Sequence, residues 1–277
     1  MSGTMASLHP FNSGFQWADH SGPFRAVSQE QARSYDERGY FVMERTLAPD
    51  LVDRLVAVID PMEAKQEDAL RRLKDGTFFI ARADEITFTT HLVVRAPLLA
   101  SFTRSPLFAD LCSDLIGPDV RLYWDQAVYK KPDTHAVFPW HQDNGYAFVL
   151  PQQYLTCWIA LTDATEQNGC PWVVPGLHRQ GTLAHRYTDI GYVCLSDPPE
   201  AVAVPVERGS IVVFSSLTPH STGPNLTEQV RKAYIVQFAP DGAYVVQEDG
   251  HGGLMNTAAD APDRQYVVLQ SGDRTPS

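Results

Sequence analysis

The residues best equipped for chemistry in this chain are His141, Asp143, His220 and Arg231. The first two lie two positions apart in His141-Gln142-Asp143, the third follows 79 residues after His141, and the fourth eleven residues later. Two imidazoles and one carboxylate form the facial ligand set that holds non-haem Fe(II) and leaves three coordination positions open. In an extended strand, residues i and i+2 share a face, so His141 and Asp143 reach one metal while Gln142 turns away. A third ligand so distant in sequence must come from another strand laid alongside, which suits a closed or sandwiched β architecture. Arg231 falls where a neighbouring strand can return to the same cavity, and its planar fork matches a carboxylate. The combination points to an oxygenase whose iron takes a keto acid, with the acid's far carboxylate held by the guanidinium.

The triplet alone decides little. With nine histidines and 33 acidic residues among 277, chance supplies roughly one His-x-Asp/Glu triplet. The surrounding blocks carry more weight. They are Pro139-Trp140-His141-Gln142-Asp143-Asn144-Gly145-Tyr146, the strand-like run from Leu155 to Ala164, Asn168-Gly169-Cys170, Pro175-Gly176-Leu177-His178, Pro219-His220-Ser221-Thr222-Gly223-Pro224-Asn225, and Val230-Arg231-Lys232-Ala233. In order and spacing, from about Ser28 to about Pro240, they resemble the phytanoyl-CoA dioxygenase family of Fe(II)- and 2-oxoglutarate-dependent oxygenases.

The resemblance implies a mostly β fold with flanking helices, its core a double-stranded β-helix, or jelly roll. It implies Fe(II), 2-oxoglutarate and O2 as the cofactor and co-substrates. Residue by residue, His141, Asp143 and His220 match the iron ligands, and Arg231 matches the partner of the C5 carboxylate of 2-oxoglutarate. Thr222 matches a hydroxyl at the same carboxylate, while Trp158 and Gln126 match positions that border the co-substrate. A lysine used upstream by some members has no match around Asp84 to His91. Asp143 is retained where halogenating relatives carry a small residue, so the implied outcome is hydroxylation of a small molecule, with desaturation or ring formation as the alternative.

Rival classes remain open at this point. A zinc-dependent hydrolase can use the same three ligands but has no use for Arg231, and a silent binding module on this fold would ordinarily have lost a ligand. In the simplest reading, His141 is a surface residue beside a turn-forming Asp143 before Asn144-Gly145, Arg231 pairs with Glu228, and Trp158 is core. Asn144 and Tyr146 follow the ligands directly, in a loop whose Gly145 permits a tight turn, so both are expected to face the substrate. His178 is expected to be structural. The remaining pocket walls are expected from the amino-terminal arm and the segments 78–93, 144–153 and 182–197.

The elements that must position these residues follow from pattern. One domain spanning 1–277 is expected: an arm or lid at 1–24, a mainly helical flank at 25–120, the jelly-roll core at 121–240 and a C-terminal extension at 241–277. Ser28 to Gln31 forms a capping box and Gly39 a stop, which predicts a helix from about Gln29 to Arg38. Asp50 is read as the cap of a second helix with Leu51, Leu55, Val56, Ile59 and Met62 on one face. The charged run Glu63 to Lys74 is read as its solvated continuation. A third helix is placed near Pro106 to Ile116, and strands at 121–129, 154–161, 209–214 and 232–238.

Composition narrows the partners. A formal charge of −11 argues against a phosphate backbone as ligand. Four cysteines without disulfide or metal spacing suit a reducing compartment. The amino end lacks the apolar core of a signal peptide, no apolar stretch has bilayer length, and the last residues are not a Ser-Lys-Leu address. A cytoplasmic enzyme acting on a small molecule, with neither nucleic acid nor membrane as partner, is the expectation.

Overall fold

The computed structural model describes residues 7–275, so the first six residues of the arm and the last two of the chain lie outside it. Two facing antiparallel sheets dominate. The larger runs in the order Tyr40–Met43, Ile211–Ser215, Leu155–Ala160, Arg231–Pro240, Val120–Lys130, Ile86–Thr90, Ala81–Arg82 and Thr77–Phe78. Off this path, Val267–Gln270 pairs with Val120 and Arg121, at the start of Val120–Lys130. The smaller sheet runs Val202–Ala203, Pro171–Val173, His220–Thr222 and Phe138–His141. A three-stranded sheet of Phe148–Leu150, Tyr244–Glu248 and Leu254–Ala258 lies at one side.

Strand alternation divides the larger sheet between two cores. On Val120–Lys130, Ala127 and Tyr129 enter the core shared with the helices, while Val128 joins the core between the sheets. The same division holds on Leu155–Ala160, where Leu155, Cys157 and Ile159 face the helices and Trp158 and Ala160 face the opposing sheet. On Arg231–Pro240, Tyr234 and Val236 face outward to the helices, and Ala233 and Ile235 inward. Val52, Leu55 and Ile59 from the long helix Pro49–Arg71, with Phe102 and Phe108 from Pro97–Thr103 and Pro106–Leu115, cover the outer face. Burying side chains of this size contributes about 1.5–3 kcal/mol each.

Helix Gln29–Arg38 has its expected capping box, with Ser28 Oγ accepting from Gln31 N at 3.1 Å and Gln31 Oε1 accepting from Ser28 N at 2.8 Å. Two expectations require correction. The long helix is capped at Ala48, with Pro49 in its first turn, rather than by Asp50. Proline is preorganised for that position, where an N–H would go unused. The charged run is solvated at Lys65, Asp68, Arg71, Arg72 and Lys74, but Glu63 and Glu67 are buried against the sheet. Glu63 Oε1 accepts from Thr87 Oγ1 at 2.7 Å and from Lys131 Nζ at 2.6 Å, and Glu67 Oε1 accepts from Asp84 N at 2.8 Å. These carboxylates fasten the helix to strands Ile86–Thr90 and Val120–Lys130, and the helix ends at Arg71 rather than continuing to Lys74. Helix Pro97–Thr103 was not foreseen, since seven residues without a side-chain cap leave little pattern.

Candidate metal centre and co-substrate pocket

His141 ends strand Phe138–His141, and His220 begins the adjacent strand directly opposite it. Opposed residues of an antiparallel pair share a face, and the two imidazole centroids lie 4.1 Å apart. Each ring is oriented by its own strand. Nδ1 of His141 donates to Pro139 O at 2.8 Å, and Nδ1 of His220 donates to Thr218 O at 3.0 Å. Both Nε2 atoms are thereby left as lone-pair donors on one side, as metal-binding histidines require.

Strand pairing stops at His141, and Asp143 opens a short 3-10 turn through Gly145, so the two ligands do not share one strand as expected. The i, i+2 relation survives because Gln142 keeps extended angles, φ −109° and ψ 145°. Asp143 Oδ1 lies 4.0 Å from His141 Nε2 and 3.8 Å from His220 Nε2. Its other oxygen accepts from Thr156 Oγ1 at 2.5 Å. One carboxylate oxygen is therefore tied back and the other aimed with the two imidazole nitrogens; among the described residues this is the one group of three ligand atoms fit for a metal, all within 4.8 Å of one another. Burial, then the neighbouring His220 charge, holds His141 well below the usual histidine range, which keeps it in the neutral form that ligates.

Gln142 turns away, as the alternation predicts, but it is not idle. Its Nε2 donates to Gly181 O at 3.0 Å and Leu217 O at 2.5 Å, its Oε1 accepts from Leu183 N at 2.6 Å, and its backbone N–H donates to His185 Nε2 at 2.9 Å. Burial moves His185 down to about 4, consistent with an imidazole nitrogen that accepts. A Cβ on Gly145 would come within 2.1 Å of the His185 ring. The tight turn expected at Gly145 is present, but its φ lies outside the left-handed region, so Gly145 is small for the sake of His185 rather than for its backbone angle. His185 and Thr156, both absent from the sequence-based site, are the principal supports of the ligands.

Asn144 also departs from expectation. Its Nδ2 donates to Thr182 Oγ1 at 2.7 Å and its Oδ1 accepts from Val149 N at 2.9 Å, with the side chain buried. It is committed to the loop. Tyr146 is half-buried and meets His141 edge to face, with ring centroids 5.3 Å apart. His178 is structural: Nε2 donates to Asp36 O at 3.0 Å, and Trp17 packs against the ring.

The second half of the site lies on the inner face of the larger sheet. Arg231 is 1% exposed. Its Nη1 donates to Val128 O at 3.3 Å, while Nε and Nη2 have no partner among the described residues. Its guanidinium carbon sits 5.4 Å from the Trp158 ring centre, and burial lowers its pKa to about 10. A buried guanidinium with two idle N–H positions is costly unless a carboxylate completes it. Gln126 and Trp158 both lie opposite Ile235 on its two neighbouring strands, one row along the same face. Thr222 is two residues after His220 on the same strand, buried. Lys130, paired with Arg231 in register, is a residue the sequence reading missed. Its ammonium donates to Ala136 O and Thr222 O at 2.9 Å and to Gly223 O, and burial, then Arg231, pushes its pKa well down.

Two facing sheets with a two-histidine, one-carboxylate cluster on the smaller one define the jelly-roll oxygenase class. Residues 35–233 match the phytanoyl-CoA dioxygenase (PhyH) family model, and the chain belongs to that family. It is accordingly an Fe(II)- and 2-oxoglutarate-dependent oxygenase. A probable phytanoyl-CoA dioxygenase of Caenorhabditis elegans is 26% identical over 252 residues, covering 80% of this chain and 78% of its own. Ectoine dioxygenase of Bordetella parapertussis is 29% identical over 159 residues, covering 56% and 51% respectively. Among solved structures, the carbocyclase SnoK from nogalamycin biosynthesis aligns with a TM-score of 0.66 at 26% identity, over 81% of this chain and 89% of its own. EctD of S. alaskensis, solved with 2-oxoglutarate and 5-hydroxyectoine, shares the fold at a TM-score of 0.65 and 20% identity, over 87% of this chain and 84% of its own.

Proposed function

We propose that this chain is a hydroxylase that inserts oxygen into an unactivated C–H bond of a small organic molecule, within one catalytic domain. In this reading His141, Asp143 and His220 hold Fe(II), and Arg231 with Thr222 holds the C5 carboxylate of 2-oxoglutarate beside Trp158 and Gln126. The observation that carries it is the pairing of the triad with a buried guanidinium whose Nε and Nη2 have no partner among the described residues. When bound, iron and 2-oxoglutarate supply the oxidation of a C–H bond by O2, with release of succinate and CO2.

The protein's own residues do the rest. Thr156 orients Asp143, Pro139 and Thr218 carbonyls fix the two imidazoles, and Gln142 with His185 fixes the chain between the ligands. The Trp158 ring and the apolar inner face exclude water from the guanidinium, which strengthens its grip on a carboxylate. Ring formation is the second reading, supported by the 26% identity to a carbocyclase. A cytoplasmic setting agrees with four free thiols, three of them buried; among the described residues no helix is long and apolar enough to cross a membrane.

Anaerobic addition of Fe(II) and 2-oxoglutarate should produce a weak visible charge-transfer band, lost in His141→Ala and in His220→Ala. Persistence of the band in both variants would remove the assignment.

A further inference from the structure

Two hairpins stand over the metal-bearing strand. Thr77–Phe78 and Ala81–Arg82 form one, with Phe79 and Ile80 as its two-residue turn. Arg186–Thr188 and Gly191–Val193 form the other, with Asp189 and Ile190 at its tip. Arg82 Nη2 donates to Asp189 O at 2.8 Å, and Cys194 N donates to Trp140 O at 2.9 Å. The end of the first hairpin is thus tied to the tip of the second, and the end of the second to the strand that ends at His141.

Their side chains make a continuous row of rings. Tyr146 packs against His141, is stacked with Phe138 at 6.1 Å and meets Tyr192 at 5.2 Å. Phe79 lies 6.3 Å from Tyr146 and is stacked on Tyr187 at 6.1 Å, with an interplanar angle of 12°. Tyr187 closes the row against Tyr192 at 5.5 Å. The outer rings are open to solvent: Phe79 is 46% exposed, Tyr187 60% and the adjoining Phe78 67%.

Exposing that much contiguous ring surface works against solubility and marks a place where an apolar ligand is received. The backbone adds an independent observation. Phe79 adopts φ +52°, a left-handed conformation that a turn ordinarily gives to Gly or Asn and that is strained for a bulky side chain. Strain of this kind persists where position matters to function. Here it aims an aromatic ring along the row that leads to His141.

We propose that the row formed by Phe79, Tyr187, Tyr192, Tyr146 and Phe138 is the substrate entry and selects flat, fused-ring aromatic molecules. The proposal rests on the reading that His141 belongs to the reaction centre. Stacked and edge-on rings reward a planar π face over an aliphatic skeleton of the same size, by about twofold to tenfold per ring contact. Tyr146 is the specificity-determining contact nearest the iron ligands, and Phe79 and Tyr187 make the outer one.

The test uses the full chain and 2-naphthol, read by quenching of its fluorescence, with and without Fe(II) and 2-oxoglutarate under anaerobic conditions. Decahydro-2-naphthol, which keeps the carbon skeleton but not the planarity, serves as competitor. Saturable 2-naphthol binding is expected, weakened roughly tenfold in the exposed double variant Phe79→Ala/Tyr187→Ala and retained in Tyr187→Phe, with an inhibition constant for decahydro-2-naphthol at least fivefold above the Kd of 2-naphthol. Equal displacement by the saturated alcohol, binding unchanged in the double variant, or no saturable binding overturns the proposal. The charge-transfer band is recorded on the same samples. Its absence beside intact 2-naphthol binding would overturn the oxygenase reading alone, and its presence without 2-naphthol binding would overturn the aromatic entry alone.

Discussion

Replacing Arg231 by Met should move two quantities in opposite directions. The side chain is buried, its Nε and Nη2 have no partner among the described residues, and Lys130 is its register neighbour. Without a bound carboxylate the guanidinium therefore opposes folding. Exchanging a buried, poorly paired ion for an apolar side chain of similar length is commonly neutral or stabilising by about 1–4 kcal/mol. At about 2–4 °C per kcal/mol for chains of 150–250 residues, Arg231→Met should melt at the wild-type temperature or several degrees higher when no 2-oxoglutarate is added. Co-substrate should stabilise the wild type by about 2.7 kcal/mol at a concentration one hundred times its Kd, and should stabilise the variant little. Arg231→Lys, which keeps charge but loses the fork, should lose roughly tenfold to more than a hundredfold in 2-oxoglutarate affinity, because charge-assisted hydrogen bonds contribute about 1.5–3 kcal/mol. Thermal melts with and without 2-oxoglutarate, under anaerobic Fe(II), measure both effects. A variant that melts well below the wild type yet still gains stability from 2-oxoglutarate would refute the reasoning, and the carboxylate would then sit elsewhere.

Thr156→Val removes the hydroxyl that holds Asp143 Oδ2 while preserving shape, so Fe(II) affinity should drop about tenfold to a hundredfold; metal titration with unchanged affinity would relieve Thr156 of this role. Lys131→Met leaves Glu63 and Glu67 buried without their ammonium, and chemical denaturation should register a loss of about 3–5 kcal/mol, with a loss below 1 kcal/mol counting against the ion-pair account. Asp125 is raised from 3.8 to about 6, chiefly by burial. Its folded pKa exceeds the unfolded one, so its contribution is complete below about pH 3.8 and is lost as pH rises through about 6. Stability of Asp125→Asn relative to wild type should therefore climb between pH 4 and 7 by up to about 3 kcal/mol; a flat difference across that range would contradict it.

The triad and the buried Arg231 were legible because coordination chemistry fixes residue type and spacing, and because the flanking turns and strands follow in order. The principal strands were legible from β-branched and aromatic runs, and helix Gln29–Arg38 from its cap. The supports were not. Thr156 and His185 act through tertiary contacts with Asp143 and Gln142, and neither leaves a periodic trace. Glu63 and Glu67 misled because charge is ordinarily solvated, and only the folded positions of Thr87, Asp84 and Lys131, just past strand Val120–Lys130, reveal why these two are not. Asn144 misled for a related reason: a polar residue beside a ligand can be needed by its own loop, as its bonds to Thr182 and Val149 demonstrate.

The alternation along strand Val120–Lys130 separates two kinds of inheritance. Asp125 accepts from Leu92 N, Val93 N and the Tyr234 hydroxyl, and Tyr129 donates to Asp60, so the outward-facing positions are bound to the helices and to the fold's survival. Gln126 and Val128 point the other way, into the roll, where their neighbours are the cavity walls. A strand built so can change at Gln126 and Val128 and acquire a new cavity lining while the intervening positions keep the helices docked. Selection for a new substrate and selection for a stable protein then act on interleaved letters of the same segment, with little conflict between them.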